Sequence, residues 1–346
     1  MTITGTGHTP DVADVVAVGE SMVAFLPARP GRLADVPAFH RSVGGAESNV
    51  ACALAAAGHS ARWVSRVGAD GFGDHLVEAI GSYGVDVSAV CRDPARPTGV
   101  YFRTAGDRGT DAHEVAYYRA GSAASAMSPR NVAAGPGRVL HLSGITAALS
   151  DSCLALLREL TARRPGRPLV SFDVNHRAGL WRDPAAAGDV LLGLARGSDL
   201  VFVGEDEAAQ TWGVRGGPER IRELLPEPAV LVVKEGAKGA TVFQESARVF
   251  QPALRVDVVA ATGAGDAFAA GFLSATLRGL PLRDRLRHGH LWAAAALTAP
   301  GDLAPPPARD TADRLAALGA EAWGRLRLGP GWTQAARRAE EEVRTR

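Results

Sequence analysis

Short apolar runs alternate with helical patterns along most of this sequence, and this alternation restricts the fold more than any other feature. The apolar runs predict strands at residues 15–18, 62–67, 139–143, 169–174, 200–203 and 230–233. Between these runs, apolar side chains recur at helical spacing, as at residues 48–58, 73–82, 153–163 and 185–196. Strands separated by helices predict an α/β fold whose mostly parallel sheet has helices on both faces.

Two segments break the alternation and predict a small second layer outside the main sheet. Residues 22–43 and 97–119 contain stretches with apolar side chains at every second position, with polar turns between them. This period-two pattern is typical of antiparallel strands. The aromatic residues and arginines of the second segment favour a ligand-facing surface over a plain surface hairpin. We therefore expect a β-sheet lid built from about residues 21–43 and 97–120.

The α/β pattern forms one domain at residues 13–305, and a C-terminal tail follows at 306–346. The tail contains a helical pattern near residues 311–323 and ends in a charged stretch at 335–346. We expect this charged stretch to be a solvated helix or a disordered end, with partner binding as the alternative.

Composition excludes several classes of function. The 38 Lys+Arg residues nearly balance the 37 Asp+Glu residues, so bulk charge does not attract the protein to nucleic acid or to an acidic membrane. No apolar run is long enough to cross a membrane, and residues 1–12 do not resemble a secretory signal. Cys52, Cys91 and Cys153 are widely spaced and predict neither a disulfide framework nor a zinc site. We expect a cytoplasmic protein without nucleic-acid or membrane partners.

The sharpest local motif reads TGAGD from Thr262 to Asp266 and leads into an apolar helical pattern at residues 267–280. Small residues allow a tight turn before a helix, whose free N–H groups and positive dipole end bind anions. A carboxylate beside such a site suits phosphoryl transfer, because Asp266 accepts a proton while the loop stabilises the transferred group. A simple helix cap is the alternative role for Asp266.

A second motif, GGAESN, runs from Gly44 to Asn49 and also precedes a helical pattern. Paired glycines allow close approach of a ligand. Asn49 either caps the helix or binds a hydroxyl-rich substrate. The motif follows the first lid segment, so it lies where the lid meets the main sheet.

Together the two motifs resemble the amino-terminal and carboxy-terminal signatures of the ribokinase-like (PfkB) carbohydrate kinases. The segments VGADGFGD, from Val67 to Asp74, and Gly84-Val85-Asp86 also match the family pattern, and the resemblance extends over about residues 15–302. It implies a three-layer α/β/α sandwich with a β lid. It also implies ATP and Mg²⁺ as cofactors, with the γ-phosphoryl group of ATP transferred to a sugar hydroxyl.

The resemblance carries over to single residues. Asp266 matches the catalytic base of the family, and Gly263, Ala264 and Gly265 match its anion hole. The positions that match nucleotide contacts are Lys234, Gly236, Gly239, Thr262, Gly265 and His290. Glu207 matches an acidic residue associated with Mg²⁺ and phosphate, a contact we expect to run through water.

Two residues depart from the family pattern. Ala260 stands where the family usually has an Asp that helps to hold a monovalent cation, which puts activation by K⁺ in doubt. Asp257 is three residues too early to replace it. Gly204 stands where the Asn of an Asn-x-x-Glu motif is usual, so Glu207 keeps only part of that motif.

Arginines in two longer matches favour an acidic sugar. Arg119 follows the tyrosines at 117 and 118, and Arg177 lies in the stretch DVNHR from Asp173. Arginine binds a carboxylate through two hydrogen bonds. Both stretches resemble the 2-keto-3-deoxygluconate kinases of the family. The positions that match substrate contacts in that group or in the amino-terminal motif are Gly44, Gly45, Asn49, Tyr101, Tyr117, Arg119, Ile145 and Arg177.

The alternatives are a kinase of a neutral sugar, such as fructose or ribose, and a catalytically silent sugar-sensing protein. We also expect a homo-oligomer formed through the open strand edges of the lid. Lys234 and Lys238 are the only lysines among the basic residues. Both lie in the stretch expected beside the nucleotide, although a GC-rich coding bias also explains the scarcity of lysine.

Overall fold

The computed structural model describes residues 12–104 and 114–334. The charged stretch at 335–346 and the middle of the second lid segment, 105–113, lie outside the described residues. The strands in chain order are β1 (Ala13–Val18), β2 (Met22–Pro27), β3 (Phe39–Gly44), β4 (Ala61–Gly68), β5 (Val90–Asp93), β6 (Val100–Arg103), β7 (Val115–Tyr118), β8 (Gly137–Ser143), β9 (Leu169–Asp173), β10 (Leu200–Gly204), β11 (Val230–Lys234), β12 (Gly239–Gln244), β13 (Ala247–Pro252), β14 (Arg255–Val256) and β15 (Arg327–Leu328). The α-helices are α1 (Ala46–Ala56), α2 (Gly71–Ser82), α3 (Gly144–Ala148), α4 (Asp151–Thr161), α5 (Pro184–Gly197), α6 (Glu205–Trp212), α7 (Pro218–Leu224), α8 (Ala264–Leu277), α9 (Leu282–Leu297), α10 (Arg309–Ala316) and α11 (Ala320–Arg325).

The main sheet of the described residues has nine strands in the order β13-β12-β11-β10-β9-β8-β1-β4-β5. The strands from β11 to β5 are parallel, and β12 and β13 form an antiparallel hairpin at one edge. The predicted α/β fold with its mostly parallel sheet is therefore confirmed.

Neighbouring residues of β1 belong to two different hydrophobic clusters. Val15 and Ala17 pack into one cluster, and Val16 and Val18 pack into the other. Because successive side chains of a strand point to opposite faces, the sheet has a hydrophobic core on each side. Both faces of the sheet are thus covered, as a three-layer sandwich requires.

The lid is a four-stranded sheet in the order β3-β2-β6-β7. The pairs β2–β3 and β6–β7 are antiparallel, whereas β2 and β6 are parallel. The sequence predicted antiparallel pairing alone, which is wrong for the central pair. The reason is topological, because each hairpin contributes its first strand to the middle of the lid.

The residues after 305 continue the main core. The single helical pattern predicted near 311–323 is two helices, α10 and α11, and Gly319 precedes the second one. Trp323 is buried in the cluster that also contains Val15, and its indole N–H donates to the carbonyl of Pro252 over 3.0 Å. Within the described ranges, no helix has the length and apolar character to cross a membrane.

Candidate active site

The carboxyl ends of parallel strands β1, β8, β9, β10 and β11 meet at one edge of the main sheet, where α/β proteins bind their ligands. The β2–β3 hairpin leaves the sheet just after β1, and Gly44 leads directly into α1, so the lid adjoins this edge. Polar residues at these strand ends include Glu20, Asp173, Glu207 and Lys234. The TGAGD motif lies close to these polar residues, because a Cβ added to Gly265 would lie 3.8 Å from Nζ of Lys234.

The segment from Thr262 to Gly265, called the anion loop below, turns into α8 at Gly263. Gly263 caps α8 with a φ of 78°, a left-handed conformation that favours glycine. A Cβ on Gly263 would lie 2.0 Å from the carbonyl oxygen of Asp302, so no side chain fits there. Helix α8 therefore begins at Ala264, three residues before the start predicted from apolar spacing. Its first N–H groups have no acceptor within the helix and are suited to an anion.

Asp266 lies in the first turn of α8 and is held by the second motif. The side-chain amide of Asn49, in α1, donates a hydrogen bond to Oδ2 of Asp266 over 2.8 Å. Burial raises the pKa of Asp266 to about 7, and the carboxylate of Asp173 adds to the rise, while Asn49 and Lys234 oppose it. A carboxyl group with a pKa near neutrality is suited to accept a proton. Gly45 is the N-cap of α1, so the cap alternative for Asn49 is wrong, whereas substrate binding by Asn49 stays a prediction.

Lys234 lies between two carboxyl groups at the sheet edge. Its ammonium group is 3.0 Å from both oxygens of Asp173, whose side chain is 4% exposed. Burial acts to lower the pKa of Lys234, but Asp173 and Glu207 outweigh burial and raise the pKa above its ordinary value. Lys234 is therefore a fixed positive charge beside the anion loop. Lys238 differs, because it is exposed and pairs with Glu205 over 3.3 Å.

Glu207 is oriented by backbone groups. Oε2 accepts from the N–H of Gly204 over 3.0 Å, and Oε1 accepts from the N–H of His176. Burial raises the pKa of Glu207, with the positive charge of Lys234 opposing the rise. Because both oxygens already accept backbone hydrogen bonds, Glu207 fits a contact to Mg²⁺ through water better than direct ligation. The loss of an Asn side chain at Gly204 leaves this orientation in place.

One face of the lid carries three of the predicted substrate residues, Tyr101, Tyr117 and Arg119. Tyr101 and Tyr117 are paired across β6 and β7, and their ring centroids are 5.6 Å apart. The guanidinium of Arg119 lies 5.8 Å from the centre of the Tyr117 ring. Strand alternation places Arg103 on the same face of β6 as Tyr101. Among the described lid residues, this side thus carries two tyrosines and two arginines.

The structure gives Arg119 a protein partner that the sequence did not predict. Arg119 forms a buried ion pair with Glu20, whose side chain is 1% exposed. The hydroxyl of Ser122 donates to Oε1 of Glu20 over 2.6 Å. The available signal was the position of Glu20, since it follows β1 directly at the carboxyl edge of the sheet.

The paired glycines of the second motif are required by the protein's own groups. A Cβ on Gly44 would lie 2.2 Å from the hydroxyl oxygen of Tyr101. A Cβ on Gly45 would lie 2.6 Å from the carbonyl oxygen of Glu20. Groups of the protein itself thus approach these glycines closely: the hydroxyl of Tyr101 in the lid and the carbonyl of Glu20 after β1. The sequence predicted such a close approach for a ligand.

Glu47 is a buried acid within the second motif that the sequence analysis did not single out. Its Oε1 accepts hydrogen bonds from the hydroxyls of Ser143, over 2.8 Å, and Thr146, over 2.7 Å. Burial raises the pKa of Glu47 to about 7. Ile145, a predicted substrate residue, is half-buried beside Thr146 in α3. This brings α3 into the same region as α1.

Three predicted residues, Arg177, His290 and Thr262, each have a hydrogen-bond partner within the protein. Arg177 is exposed, and its guanidinium donates to the carbonyl of His176 over 3.1 Å. His290 is buried, with Nε2 3.0 Å from the carbonyl oxygen of Gln251 and its ring against Phe268. Burial lowers the pKa of His290 to about 4, so the ring is neutral. Thr262 accepts a hydrogen bond from Arg103 of the lid over 2.6 Å.

The remaining predicted residues lie in two places. One is the region between β11 and β12 expected beside the nucleotide, and the other is the position where the family usually has a cation-binding Asp. Gly236 lies in the turn that joins β11 to β12, Gly239 is the first residue of β12, and both have positive φ. Ala260 presents no carboxylate, and its N–H donates to the carbonyl of Leu297 over 3.3 Å. Asp257 forms an exposed ion pair with Arg327 over 2.6 Å, so it is already engaged elsewhere.

Comparisons with known proteins define the class. Residues 12–309 match the pfkB family of carbohydrate kinases. The 2-dehydro-3-deoxygluconokinase of Bacillus subtilis (strain 168) is 36% identical over 86% of this chain and 93% of its own length. The enzyme of the same name from Thermoproteus tenax is 36% identical over 88% and 94%. The crystal structure of a PfkB protein from Polaromonas sp. JS666 has a TM-score of 0.77 at 33% identity and covers 87% of this chain and 99% of that one.

The chain therefore belongs to the pfkB family of carbohydrate kinases. It is an ATP-dependent sugar kinase, and two of the relatives most similar to it are named for phosphorylation of a sugar acid. The family and the type of reaction that the sequence predicted are confirmed.

Proposed function

We propose that the protein transfers the γ-phosphoryl group of ATP to 2-keto-3-deoxygluconate (2-dehydro-3-deoxygluconate) and forms the 6-phosphate. The observation that carries the reaction type is Asp266, held by Asn49 at the N-terminus of α8. The substrate class is supported by the names of two relatives at 36% identity and by the arginines near the cleft. A sugar acid thus fits both the relatives and the residues.

Proton transfer falls to Asp266 in this proposal. The carboxylate accepts the proton of the sugar hydroxyl as that oxygen attacks the phosphoryl group. The N–H groups of the loop residues Gly263, Ala264 and Gly265 stabilise the negative charge that develops on the phosphoryl oxygens. Nucleotide contacts are assigned to Lys234, Gly236, Gly239 and Thr262. His290 contributes packing against Phe268, because it is buried and neutral.

Mg²⁺, when bound with ATP, neutralises phosphate charge. Glu207 holds it through water, since its carboxylate is fixed by two backbone N–H groups. Lys234 adds a fixed positive charge beside the anion loop. The side chain of Ala260 has no oxygen to offer a monovalent cation, which supports activity without added K⁺.

Arg177 is the better candidate to bind the sugar carboxylate. Among the described residues, no ion pair involves Arg177, and its side chain is exposed. Arg119 is already neutralised by Glu20. Arg177 is therefore free to form two hydrogen bonds with a carboxylate, whereas Arg119 orients Tyr117 and the lid.

The test is ATP consumption by the purified protein with 2-keto-3-deoxygluconate, gluconate, fructose and ribose as separate acceptors. We expect kcat/KM for 2-keto-3-deoxygluconate to exceed the values for fructose and ribose by at least about 100-fold, because a charged hydrogen-bond pair is specific for the carboxylate. A preference for fructose or ribose contradicts the substrate assignment and leaves the kinase assignment intact. No phosphorylation of any acceptor supports the sugar-sensing alternative.

We also propose a homo-oligomer formed through the lid, in the cytoplasm. The outer face of the lid carries Phe25, Phe39, Phe102 and Tyr118, and Tyr118 is 66% exposed on the edge strand β7. An exposed aromatic residue on an open strand edge, next to partly buried ones, favours pairing with a second copy. The three cysteines are all unpaired, which supports a reducing compartment.

A further inference from the structure

The first turn of α2 is bonded to the segment that leads into lid strand β6. Asp70 is the N-cap of α2, and its Oδ1 accepts from the N–H groups of Phe72, over 3.1 Å, and Gly73, over 2.8 Å. The hydroxyl of Thr98 donates to the same oxygen over 2.8 Å, and the N–H of Thr98 donates to Oδ2 over 2.8 Å. One carboxylate thus fixes both the start of a helix and the residue two positions before β6.

The VGADGFGD segment, from Val67 to Asp74, is built around this contact. The N–H of Gly68, the last residue of β4, donates to the hydroxyl of Thr98 over 2.9 Å. A Cβ on Gly68 would lie 2.2 Å from Oδ2 of Asp70, so a side chain there would displace the carboxylate. The end of β4, the start of α2 and Thr98 are therefore held together at one point.

On its other side, the link between Thr98 and β6 contacts the buried ion pair of the lid. Gly99 follows Thr98, and its carbonyl accepts from the N–H of Val23 in β2 over 3.1 Å. A Cβ on Gly99 would lie 3.0 Å from Oε1 of Glu20 and 3.4 Å from Cβ of Arg119. A shift of Thr98 therefore moves the backbone that packs against Glu20 and Arg119.

Helix α2 also contacts the other hairpin of the lid. The ring of Phe72 lies edge-on to the ring of Phe25 in β2, with the ring centroids 5.8 Å apart. Phe25 in turn stacks on Phe102 of β6, with a centroid distance of 4.6 Å. The first turn of α2 thus supports both lid hairpins, one through hydrogen bonds to Thr98 and the other through an aromatic contact.

We propose that Asp70 is a positioning residue that holds β6, and with it Tyr101, where the lid contacts the sugar. The inference rests on the proposed kinase reaction and adds a residue outside the cleft. The hydrogen bonds that the structure describes for Asp70 go to residues with no assigned contact to substrate or nucleotide. Asp70 acts through Thr98, because an error of about 1 Å in placement costs about 100-fold in rate.

The first experiment measures Asp70→Asn, which separates the helix cap from the link to the lid. Asparagine caps helices about as well as aspartate, and its oxygen can still accept from the N–H groups of Phe72 and Gly73. The amide nitrogen that replaces Oδ2 is a donor and cannot accept from the N–H of Thr98.

We expect kcat/KM for the sugar acid to fall about 10- to 100-fold in Asp70→Asn. KM for ATP should change less than about threefold, because the nucleotide contacts are assigned to residues outside the lid. An unchanged kcat/KM for the sugar acid in the folded variant overturns the proposal.

Asp14→Asn is the matched control. Asp14 accepts from both the N–H and the hydroxyl of Ser60 over 3.1 Å, directly before β4. It repeats the pattern of Asp70 and Thr98 at the amino ends of the strands, away from the cleft. The control should leave kcat/KM unchanged, and an equal loss in both variants would show that Asp70 has no special role.

Two variants of Thr98 test whether Asp70 acts through this residue. Thr98→Val removes the hydroxyl that joins Asp70 to Gly68, so kcat/KM for the sugar acid should fall at least about fivefold. Thr98→Ser keeps the hydroxyl and should stay within about twofold of the wild type. Wild-type kinetics in Thr98→Val, or an equal loss in Thr98→Ser, overturns the proposed route.

A second readout needs no turnover. We expect amide hydrogen exchange in β6 to be at least about tenfold faster in Asp70→Asn than in the wild type, without any sugar. Exchange in the first turn of α2 should change less, because the helix keeps its cap. Equal loosening of α2 and β6 would assign Asp70 to capping alone. If the wild-type protein phosphorylates no acceptor, the proposed function fails, while the exchange result still decides whether Asp70 holds β6.

Discussion

The two sides of the cleft use charged residues differently. On the lid side, each arginine of the inner face is bound by a buried carboxylate, Arg103 by Asp302 and Arg119 by Glu20. On the anion-loop side, the carboxyl group of Asp266 has the neutral amide of Asn49 as its hydrogen-bond partner. These two lid arginines are therefore held in ion pairs, whereas Asp266 has no directly bonded cation among the residues that the structure describes.

This difference suits the two sides of the cleft to different roles. A buried carboxylate with a bonded arginine is held in a fixed position, and removing one partner leaves an uncompensated charge. A buried carboxyl group with a neutral partner has a pKa near neutrality, as burial gives Asp266. The lid side is thus suited to fix geometry, and the loop side is suited to exchange a proton. The predictions below test this division, from the largest expected effect to the smallest.

Asp266→Asn should reduce kcat by at least about 1,000-fold, because the amide cannot accept the hydroxyl proton. Sugar and ATP binding, measured by calorimetry, should change less than about tenfold. Asp257→Asn is the matched control, since Asp257 lies near the same loop but pairs with Arg327 at the surface. A kcat above about a tenth of the wild-type value would remove Asp266 from the role of base.

The variants Arg177→Ala and Arg119→Ala should distinguish substrate binding by Arg177 from stabilisation of the lid by Arg119. Without Arg177, KM for the sugar acid should rise about 10- to 100-fold, because a charge-assisted hydrogen bond contributes about 1.5–3 kcal/mol. KM for fructose and the melting temperature should not change. Without Arg119, Glu20 is left buried and unpaired, so the protein should lose about 3–5 kcal/mol of stability. Thermal unfolding measures the loss of stability, and initial rates measure the change in KM. If Arg119→Ala raised KM and Arg177→Ala lowered stability, the two arginines would have the opposite roles.

The pH dependence of kcat/KM should report the acid on the loop side. Below pH 7, Asp266 is protonated in a growing fraction of molecules, so the rate should fall about tenfold for each pH unit. Above pH 7 the base is fully ionised and the rate should level off. A midpoint near pH 4, the ordinary range of an aspartate, would show that burial does not act on the free enzyme as described.

Lys234→Met sharpens the pH prediction. Lys234 opposes the rise in the pKa of Asp266, so its removal should move the midpoint to higher pH. The variant Lys238→Met is the control, because Lys238 is exposed and pairs with Glu205 away from the base. Equal shifts in both variants would mean that general surface charge sets the midpoint.

The parts of the fold that depend on local pattern were predictable. Apolar runs and helical spacing gave the parallel sheet, and the period-two segments gave the lid. The parallel pairing of β2 with β6 was not predictable, because strands far apart in sequence leave no local trace of their mutual direction. The tight turn before α8 was predictable, because small residues ahead of a helical pattern allow such a turn.

The partners of the site residues were not predictable. Asn49 and Asp266 are 217 residues apart, and Tyr101 and Asp302 are 201 apart. The charge of Arg119 indicated a ligand, but charge alone does not say whether a substrate or Glu20 neutralises it. A carboxylate directly after a parallel strand was the signal for Glu20, and no comparable signal exists for Asp302 in its loop.

The short pair β14–β15 has a consequence for the order in which the protein matures during synthesis. Strand β14 leads toward the anion loop, and its partner β15 lies at Arg327–Leu328, some seventy residues later. The N–H of Asp257 also donates to the carbonyl of Leu328 over 3.0 Å. A chain grows from its amino terminus, so the sugar-side motif and the lid are made long before these contacts exist. A nascent chain that stops before residue 327 therefore contains every residue to which we assign a role in the proposed reaction, but it lacks the backbone support that leads into the anion loop.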